Sequence, residues 1–283
     1  MVNIKNLNTE KNSVLLTGGA GFIGSHLIER LIKERHEVIC LDNFNDYYNP
    51  QIKRNNIGPF LKEDNFTLIE ADIRDKDILK GIFEKYKLQK IIHLAAQAGV
   101  RLSLKQPNLY VDVNVNGTLN FLELSKEYKV KSFIFGSSSS VYGATKEIPF
   151  LEEGKLKPIS PYGVSKRTGE LLCYAYNHLY NLPVTILRFF TAYGPRQRPD
   201  MAIRKFTKLI DEGKETCLYG NGETSRDYTY IFDIIEGIVS SLNADFNYET
   251  FNLGNSNPTN LSHLIFLIEK NLGKSAKIRY LPE

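Results

Sequence analysis

The sequence predicts an α/β protein with a doubly wound parallel sheet, because short apolar runs alternate with amphipathic segments along most of the chain. A second observation is the glycine-rich turn at residues 18–24, which ends the first apolar run and opens a helical pattern. A third is Asp42, an acid at the end of the second apolar run. Strand, tight turn, helix, strand and acid in this order are typical of a Rossmann-type dinucleotide-binding domain.

The first two thirds of the chain read as six strands that alternate with five helices. The predicted strands are residues 14–17, 37–41, 66–69, 90–94, 132–135 and 184–187. The predicted helices begin at residue 23, after residue 50, and at residues 75–86, 107–128 and 161–180. Ligands bind beyond the carboxyl ends of parallel strands. We therefore expect Asp42, Asp72, Ala95 and the serine run 137–140 to line one cleft.

The remaining third no longer follows this regular alternation, and it starts with a segment at 191–199 that is rich in glycine, proline and arginine. It predicts helices at 201–212, 231–242 and 260–272, short strands at 216–219 and 227–230 around a turn at 220–222, and a strand at 250–253. We expect a dinucleotide-binding domain of residues 1–187 plus about 226–254. A smaller C-terminal α/β domain, about 188–225 plus 255–283, is expected to bind the substrate.

Composition excludes several classes of function. Of 283 residues, 42% are hydrophobic and 24% charged, which supports a sizeable core, and a net charge of +4 is too small to indicate a nucleic-acid partner. Residues 1–12 are polar rather than signal-like, and no apolar run approaches membrane-span length, so we expect a cytoplasmic protein without a membrane partner. Cys40, Cys173 and Cys217 read as free thiols, and the five scattered histidines predict no metal site.

The glycine turn carries the cofactor prediction. Gly18 and Gly21 permit unusual backbone angles and close approach of a pyrophosphate, and Gly24 lets the helix pack tightly on the strand. The start of the helix, at Phe22 and Ile23, offers free N–H groups to the phosphates. Asp42 is followed by Asn43 with no arginine beside it, which favours NAD over NADP. The alternative is a glycine-rich turn that binds no ligand.

Tyr162 and Lys166 carry the chemical prediction. They are four residues apart near a helix start, so they lie on one face, one turn apart. The ammonium and the positive helix terminus both favour the phenolate, and such a tyrosine can act as general base on a substrate hydroxyl. Lys166 could also bind the nicotinamide ribose, and Ser138 could hold the same substrate hydroxyl. The alternative is an exposed tyrosine beside a solvated lysine.

Residues 17–24, the serine run before 141–143, and the pair Tyr162 and Lys166 resemble the extended short-chain dehydrogenase/reductases, above all their NAD-dependent nucleotide-sugar epimerases. Residues 93–101 and 188–201 further resemble UDP-glucuronate 4-epimerases. The resemblance runs from about residue 13 to the end. It implies 4-epimerisation of a UDP-sugar, UDP-glucuronate to UDP-galacturonate above others, through a transient 4-keto sugar. It also implies a homodimer that pairs helices 107–128 and 161–180.

The motifs and the resemblance together give the expected site residues. The catalytic residues are Tyr162, Lys166 and Ser138. The cofactor-binding residues are Gly18, Gly21, Phe22, Ile23, Gly24, Asp42, Asn43, Asp72, Ile73, Leu94, Ala95, Ala96, Gln97, Asn114, Ser137, Tyr162 and Lys166. The substrate-binding residues are Arg101, Ser138, Ser139, Ser140, Thr191, Arg198 and Arg226. By the resemblance, Arg226 meets the nucleotide phosphates and Arg198 grips the sugar carboxylate; the alternative for Arg198 is a surface pair with Asp200.

Other outcomes stay open at the level of sequence. Ser139 and Ser140 stand where related sugar 4,6-dehydratases carry an Asp-Glu pair, and serine cannot do that acid–base work at neutral pH. The remaining alternatives are a UDP-glucose or UDP-N-acetylglucosamine 4-epimerase, a dehydratase or decarboxylase, and a non-catalytic NAD-binding protein. Related proteins usually continue beyond residue 283, so the resemblance implies either a truncated or a naturally short chain, with incomplete contacts to uridine.

Overall fold

The computed structural model describes residues 13–145 and 147–282. The polar start at 1–12 therefore lies outside the described residues, as does residue 283. The strands are β1 (Ser13–Thr17), β2 (Glu37–Asp42), β3 (Phe66–Glu70), β4 (Lys90–His93), β5 (Ser132–Ser138), β6 (Val184–Phe189), β7 (Thr191–Tyr193), β8 (Glu215–Tyr219), β9 (Ser225–Tyr230), β10 (Tyr248–Leu253), β11 (Pro258–Asn260) and β12 (Lys277–Leu281). The helices are α1 (Phe22–Lys33), α2 (Pro50–Ile57), α3 (Lys76–Tyr86), α4 (Val100–Lys105), α5 (Pro107–Tyr110), α6 (Gly117–Glu127), α7 (Pro161–Tyr180), α8 (Ala202–Asp211), α9 (Ile231–Asn243) and α10 (Leu261–Leu272).

Seven strands form the central sheet in the order β10-β6-β5-β4-β1-β2-β3. The strands from β1 to β6 pair in parallel, with Val14 opposite both Val38 of β2 and Lys90 of β4. All five residues of β1 are buried, as expected for a parallel strand whose two faces are covered by helices. This sheet confirms the predicted Rossmann-type α/β class.

The chain divides into two compact units. One ends at Phe189 and resumes over Ile235–Asn252; the other is Phe190–Ile234 together with the chain from Leu253 onward. The second unit therefore includes residues 226–234, which the sequence analysis grouped with the first. The reason is that β9 pairs with β7 and β11, in a separate three-stranded sheet. The strands predicted around the turn at 220–222 do not pair with each other, since β8 pairs with β12.

The second unit has a small core of its own, formed where α8 and α10 pack together with β8. Its buried members are Phe206, Ile210, Leu218, Leu264, Ile265 and Ile268. Helix α8 begins and ends within one residue of its predicted bounds. The short strands β7, β11 and β12 had no clear sequence signal.

The helix predicted at 107–128 contains an irregularity. A π-helical segment, Val111–Asn116, separates α5 from α6, and a further helix, α4, precedes them. Asn114, Asn116 and Gly117, which a plain amphipathic helix would not need, lie in or directly after this segment. Single π-helical turns inside α-helices occur frequently at functional sites.

The core-facing side of α7 was predicted wrongly. Helical periodicity places Leu171, Leu172, Ala175 and Leu179 along one side of α7 and predicts that this side faces the core, but Leu171 is 50% and Leu179 64% exposed. The buried side carries Gly163, Ser165, Lys166, Gly169, Glu170, Cys173 and Tyr176. Gly169 explains this orientation: an added Cβ would lie 2.4 Å from the Phe135 ring of β5, so the helix contacts the sheet on its glycine side.

No helix among the described residues is long and apolar enough to cross a membrane. The described part of the chain also holds no cluster of three or more His, Cys, Asp or Glu side chains arranged for a metal ion. Cys40 and Cys173 are buried free thiols, and Cys217 is a half-buried one.

Candidate active site

The glycine turn is held between β4 and α1 with no room for side chains. Gly18 has a φ of +70°, and a Cβ there would lie 2.8 Å from the backbone nitrogen of Ala95. A Cβ on Gly24 would lie 2.4 Å from the carbonyl oxygen of Gly18. The amide of Gly21 donates to the same oxygen at 3.2 Å. Gly18 and Gly24 are therefore required by the packing of the turn on its own neighbours, whereas a Cβ on Gly21 would come within 4 Å only of Gly18 O, at 3.2 Å.

The start of α1 is suited to an anion. Its N-cap is Gly21, and among the described residues no side chain accepts a hydrogen bond there and no acid lies in the first turn. The first N–H groups of a helix lack partners within the helix, and its dipole places partial positive charge at that end. Phe22 and Ile23 open this turn, so their position fits the diphosphate of a dinucleotide.

Asp42 at the end of β2 is held in place by two backbone amides. One oxygen accepts from Ala20 N at 3.1 Å and the other from Phe44 N at 2.9 Å. Burial raises the pKa of Asp42, although Lys53 and the two amides act in the opposite direction. Each carboxylate oxygen keeps lone pairs for further donors. A pair of ribose hydroxyls supplies donors of this kind.

Asn43 and Asp72 lie next to each other. Asn43 Nδ2 donates to Asp72 Oδ2 at 2.8 Å, which joins the end of β2 to the segment after β3. Arg74, which no motif in the sequence indicates, pairs with both oxygens of Asp72 at 2.8 Å. This pairing lowers the pKa of Asp72 to about 2. Ile73, the next predicted residue, is buried beside them and packs under Gly117.

The loop after β4 is fixed from two sides. Ala95 N donates to Thr17 Oγ1 at 3.1 Å, and the Thr17 hydroxyl also meets His93 Nδ1 at 2.9 Å. Asn114 of the π-helical segment binds both backbone groups of Gln97, accepting from its N at 2.7 Å and donating to its O at 3.0 Å. Leu94 and Ala96 lie half-buried between these anchors. The predicted cofactor residues of this loop therefore form one rigid edge.

His93 is a fully buried neutral imidazole. Its Nε2 lies 3.1 Å from Thr118 Oγ1, whose hydroxyl donates to Asn114 O at 2.7 Å. Thr118 Oγ1 must therefore accept from the ring, so Nε2 carries the proton and Nδ1 accepts from Thr17. Burial lowers the pKa of His93 to about 3, and the nearby Lys166 acts in the same direction.

Tyr162 and Lys166 lie on the first turns of α7. Ser160 caps this helix, accepting from Gly163 N at 3.1 Å, and Pro161 occupies its first position. Lys166 is buried rather than solvated: its Nζ donates to Gly136 O at 2.6 Å and lies 5.2 Å from the centre of the Phe135 ring. Burial lowers the pKa of Lys166 to about 8.

Ser137 to Ser140 lie where β5 ends. Ser137 and Ser138 are the last residues of the strand, which is three residues longer than predicted, and a short 3₁₀ turn follows, Ser139–Val141. Ser138 Oγ accepts from Ser140 N at 3.2 Å. A Cβ on Gly163 would lie 2.7 Å from Ser140 O, so the start of α7 packs directly on the serine turn. The structure thus brings the serine run to the residue that follows Tyr162.

The other predicted substrate residues lie on other elements of the chain. Arg101 is an exposed residue of α4. In the second unit, Thr191 opens β7 and Arg226 is exposed on β9. Arg198 Nε and Nη2 each bind an oxygen of Asp200 at 3.0 Å, which is the pair named above as the alternative. The roles of these four residues stay predictions.

The most important group without an assigned role in the sequence analysis is Glu170 of α7. Its carboxylate is fully buried and binds Ser137, Arg167 and Arg188. Its spacing from Lys166, four residues along one helix, was the available signal. The partner on β6, Arg188, lies at the end of a buried strand, where a lone charge requires a counter-ion.

A cofactor turn and acid on the first two strands, followed by a buried lysine one turn from a tyrosine, place the chain among the extended short-chain dehydrogenase/reductases. Residues 15–279 match the family described as GDP-mannose 4,6 dehydratase, and the chain belongs to this family.

Relatives within the family carry narrower names. A UDP-glucuronate 4-epimerase of Thermodesulfobacterium geofontis is 45% identical over 269 residues, which are 94% of this chain and 83% of the relative. The crystal structure of UDP-glucuronic acid 4-epimerase from Bacillus cereus, in complex with UDP-glucuronic acid and NAD, superposes with a TM-score of 0.91 at 39% identity, covering 96% of this chain and 86% of that one. UDP-glucose 4-epimerase from Thermotoga maritima, with UDP-glucose, gives 0.88 at 33% identity, covering 95% and 85%.

Proposed function

We propose that this protein is an NAD-dependent UDP-sugar 4-epimerase that converts UDP-glucuronate to UDP-galacturonate. The observation that carries the proposal is the buried Lys166, held by Gly136 O one helical turn from Tyr162, beside a serine turn. Relatives and neighbouring structures named for this activity support it.

The cofactor is NAD. It accepts the hydride from C4 of the sugar when bound and returns it to the other face of the 4-keto sugar. The compact turn at Gly18 and the uncapped start of α1 fit its diphosphate, and Asp42 fits the unphosphorylated ribose. A 2′-phosphate would meet the Asp42 carboxylate, which disfavours NADP.

The proton is handled by the residues of α7 and β5. Tyr162 removes the proton of the C4 hydroxyl as the hydride leaves, and gives it back when the hydride returns. The Lys166 ammonium favours the phenolate that this step requires. Ser138 holds the same hydroxyl through its Oγ, which Ser140 N orients at 3.2 Å. The helix dipole at the start of α7 acts in the same direction as Lys166.

With UDP-glucuronate, unlike UDP-glucose, the enzyme must also prevent the 4-keto intermediate from losing carbon dioxide. A 4-keto uronic acid is a β-keto acid and loses carbon dioxide when its carboxylate stands perpendicular to the ring. Ser139 and Ser140, with Thr191 and Arg198, are the residues proposed to fix the plane of that carboxylate. Arg198 supplies a planar fork suited to bidentate binding, and Asp200 now holds that fork in the same way.

The family is described by a dehydratase, but the chain lacks the groups for dehydration at the expected positions. Removal of water from C5 and C6 requires an acid and a base, and these positions hold Ser139 and Ser140. A dehydratase would release a 4-keto-6-deoxy sugar, and a decarboxylase would release carbon dioxide and a pentose.

We further propose that the protein is a homodimer that pairs the helical segment 107–128 and α7 with the same two helices of a second copy. Large apolar side chains lie exposed on these helices: Val111 is 52%, Val164 49% and Leu171 50% exposed. Sedimentation should report a dimer that Leu171→Glu dissociates and that the matched surface change Leu61→Glu leaves intact. A monomeric parent would contradict the proposed dimer.

We also propose a cytoplasmic location, which the three free thiols support.

The test of the activity is direct. The protein is incubated separately with UDP-glucuronate, UDP-glucose and UDP-N-acetylglucosamine, and the sugar signals are followed by NMR. UDP-galacturonate is the expected product. Turnover of only the other two substrates would reassign the substrate. Bound NAD with no turnover, and a Tyr162→Phe variant identical to the parent, would indicate a non-catalytic NAD-binding protein.

A further inference from the structure

We propose that Glu170 is a positioning residue for the Tyr162–Lys166 pair: its buried carboxylate fixes the end of β5 to α7 and keeps the Lys166 ammonium charged. The inference rests on the proposed function, because it assigns how the general base of that reaction is set up. Glu170 acts through Lys166 and Ser137, without contact to the substrate being required.

Four hydrogen bonds hold the Glu170 carboxylate. Its side chain has no exposed surface. One oxygen accepts from Ser137 Oγ at 2.6 Å and from Arg188 Nε at 2.9 Å. The other accepts from Arg188 Nη2 at 3.0 Å and from Arg167 Nη1 at 2.9 Å. A carboxylate offers about four acceptor sites, so this one is fully used and has a single orientation.

Glu170 and Lys166 attach consecutive strand residues to consecutive helical turns. Lys166 Nζ donates to Gly136 O at 2.6 Å, and Ser137, the next residue, donates to Glu170. Two bonds one residue apart on β5 and one turn apart on α7 fix both the distance and the register between strand and helix. Ser138 follows directly on the strand, and Tyr162 lies one turn earlier on the helix. The separation of these two groups is therefore set by the pair.

Arg188 makes this arrangement rigid. Besides binding Glu170, its Nη1 donates to Tyr142 OH at 2.9 Å and to Glu152 O at 2.8 Å. Tyr142 OH in turn donates to Asn252 Oδ1 of β10 at 2.8 Å. The guanidinium thus joins β6 to α7 and to the chain after β5. A carboxylate bound by such a fixed partner cannot turn away from Ser137.

The second role is electrostatic. Burial lowers the pKa of Lys166 to about 8, and the charge of Glu170 acts against that fall. The groups that face Lys166 are Glu170 and Cys173 on its own helix and His93 on β4, and Arg188 on β6 and Arg167 reach the same carboxylate. His93 and Cys173 are neutral at pH 7, because burial lowers the pKa of one and raises that of the other. Glu170 therefore supplies the negative charge that faces three cations.

The test uses Glu170→Gln, which keeps the size of the side chain and removes its charge. An opposite charge within a few ångströms moves a pKa by about one to three units. We expect the alkaline limb of the pH profile of kcat for UDP-glucuronate to move down by about one pH unit. In the same holoenzyme, the ultraviolet signal of the Tyr162 phenolate, taken as the difference from Tyr162→Phe, should appear at higher pH than in the parent.

The matched control is Arg167→Gln, which removes one hydrogen bond to the same carboxylate but leaves its charge. Its alkaline limb should stay in place or move to higher pH. If Glu170→Gln does not fold, Arg188→Gln serves instead, because loss of a cation from the cluster should move the limb to higher pH.

A pH profile of Glu170→Gln that superimposes on that of the parent, or an equal downward shift in Arg167→Gln, would overturn the proposal. If the parent itself converts no UDP-sugar, the proposed function fails. The phenolate titration then still decides the role of Glu170.

Discussion

Gly24 offers a sharp test of the cofactor turn. In Gly24→Ala the new Cβ would lie 2.4 Å from Gly18 O and 2.6 Å from Gly19 Cα, whereas ordinary contacts begin near 3.4 Å. The backbone must therefore separate by 3.4 − 2.4 = 1.0 Å on the side where α1 packs on the turn. Both obstructing atoms belong to the backbone, so no side chain can rotate away. Overpacking of this kind costs about 1–3 kcal/mol of unfolding free energy.

The larger effect should fall on cofactor binding. A shift of about 1 Å moves the N–H groups of α1 relative to a diphosphate, and we expect NAD affinity to fall at least tenfold, which is about 1.4 kcal/mol. The assays are calorimetric titration with NAD and chemical unfolding with and without it. The matched control is Gly81→Ala in α3, where an added Cβ meets nothing within 4 Å. That change should stabilise the protein by about 0.5–1 kcal/mol and leave NAD affinity alone. Parent-like NAD binding by Gly24→Ala would refute the reasoning.

Three further outcomes follow from the same geometry. His93 has a folded pKa of about 3 against about 6.5 unfolded, so the unfolded chain binds the proton first and the stability from His93 falls as pH drops below about 6.5. By pH 5 the parent should lose about 2 kcal/mol relative to His93→Gln in chemical unfolding; a difference that does not change with pH would contradict this. Asp42→Asn should lower the ratio of NAD to NADP affinity at least tenfold in calorimetry, and an unchanged ratio would contradict the assignment of Asp42 to the ribose. Arg198→Lys keeps the charge but loses the fork, so kcat/KM for UDP-glucuronate should fall about tenfold or more while any turnover of UDP-glucose is spared; an equal loss on both would remove Arg198 from the carboxylate.

The sequence was informative where local pattern and local structure coincide. The strand at Ser13–Thr17, the glycine turn and the acid at Asp42 are contiguous signals, and each lies where expected. The capped start of α7 follows in the same way from Ser160 and Pro161. These features depend on residues a few positions apart, which is the range over which turn, cap and periodicity rules operate.

Prediction from the sequence failed where the structure depends on contacts between residues far apart in the chain. Helical periodicity predicted that Leu171 faces the core. The side of α7 that packs on the sheet is instead determined by Gly169 and by the buried charges. Ser137 reads as loop by composition, yet it continues β5 because it pairs with Arg188 of β6 and donates to Glu170. A short polar strand such as β7 or β11 is defined by its partner strand, which no local window contains.

The central claim is that one hydride leaves C4 of the sugar and returns to the same carbon while Tyr162 holds the proton. UDP-glucuronate that carries deuterium at C4 tests this most directly, in ordinary water with NAD supplied. The account predicts UDP-galacturonate that retains the deuterium at C4, formed at least about a hundredfold more slowly by Tyr162→Phe. Product with hydrogen from water at C4, or equal rates for parent and variant, would contradict it.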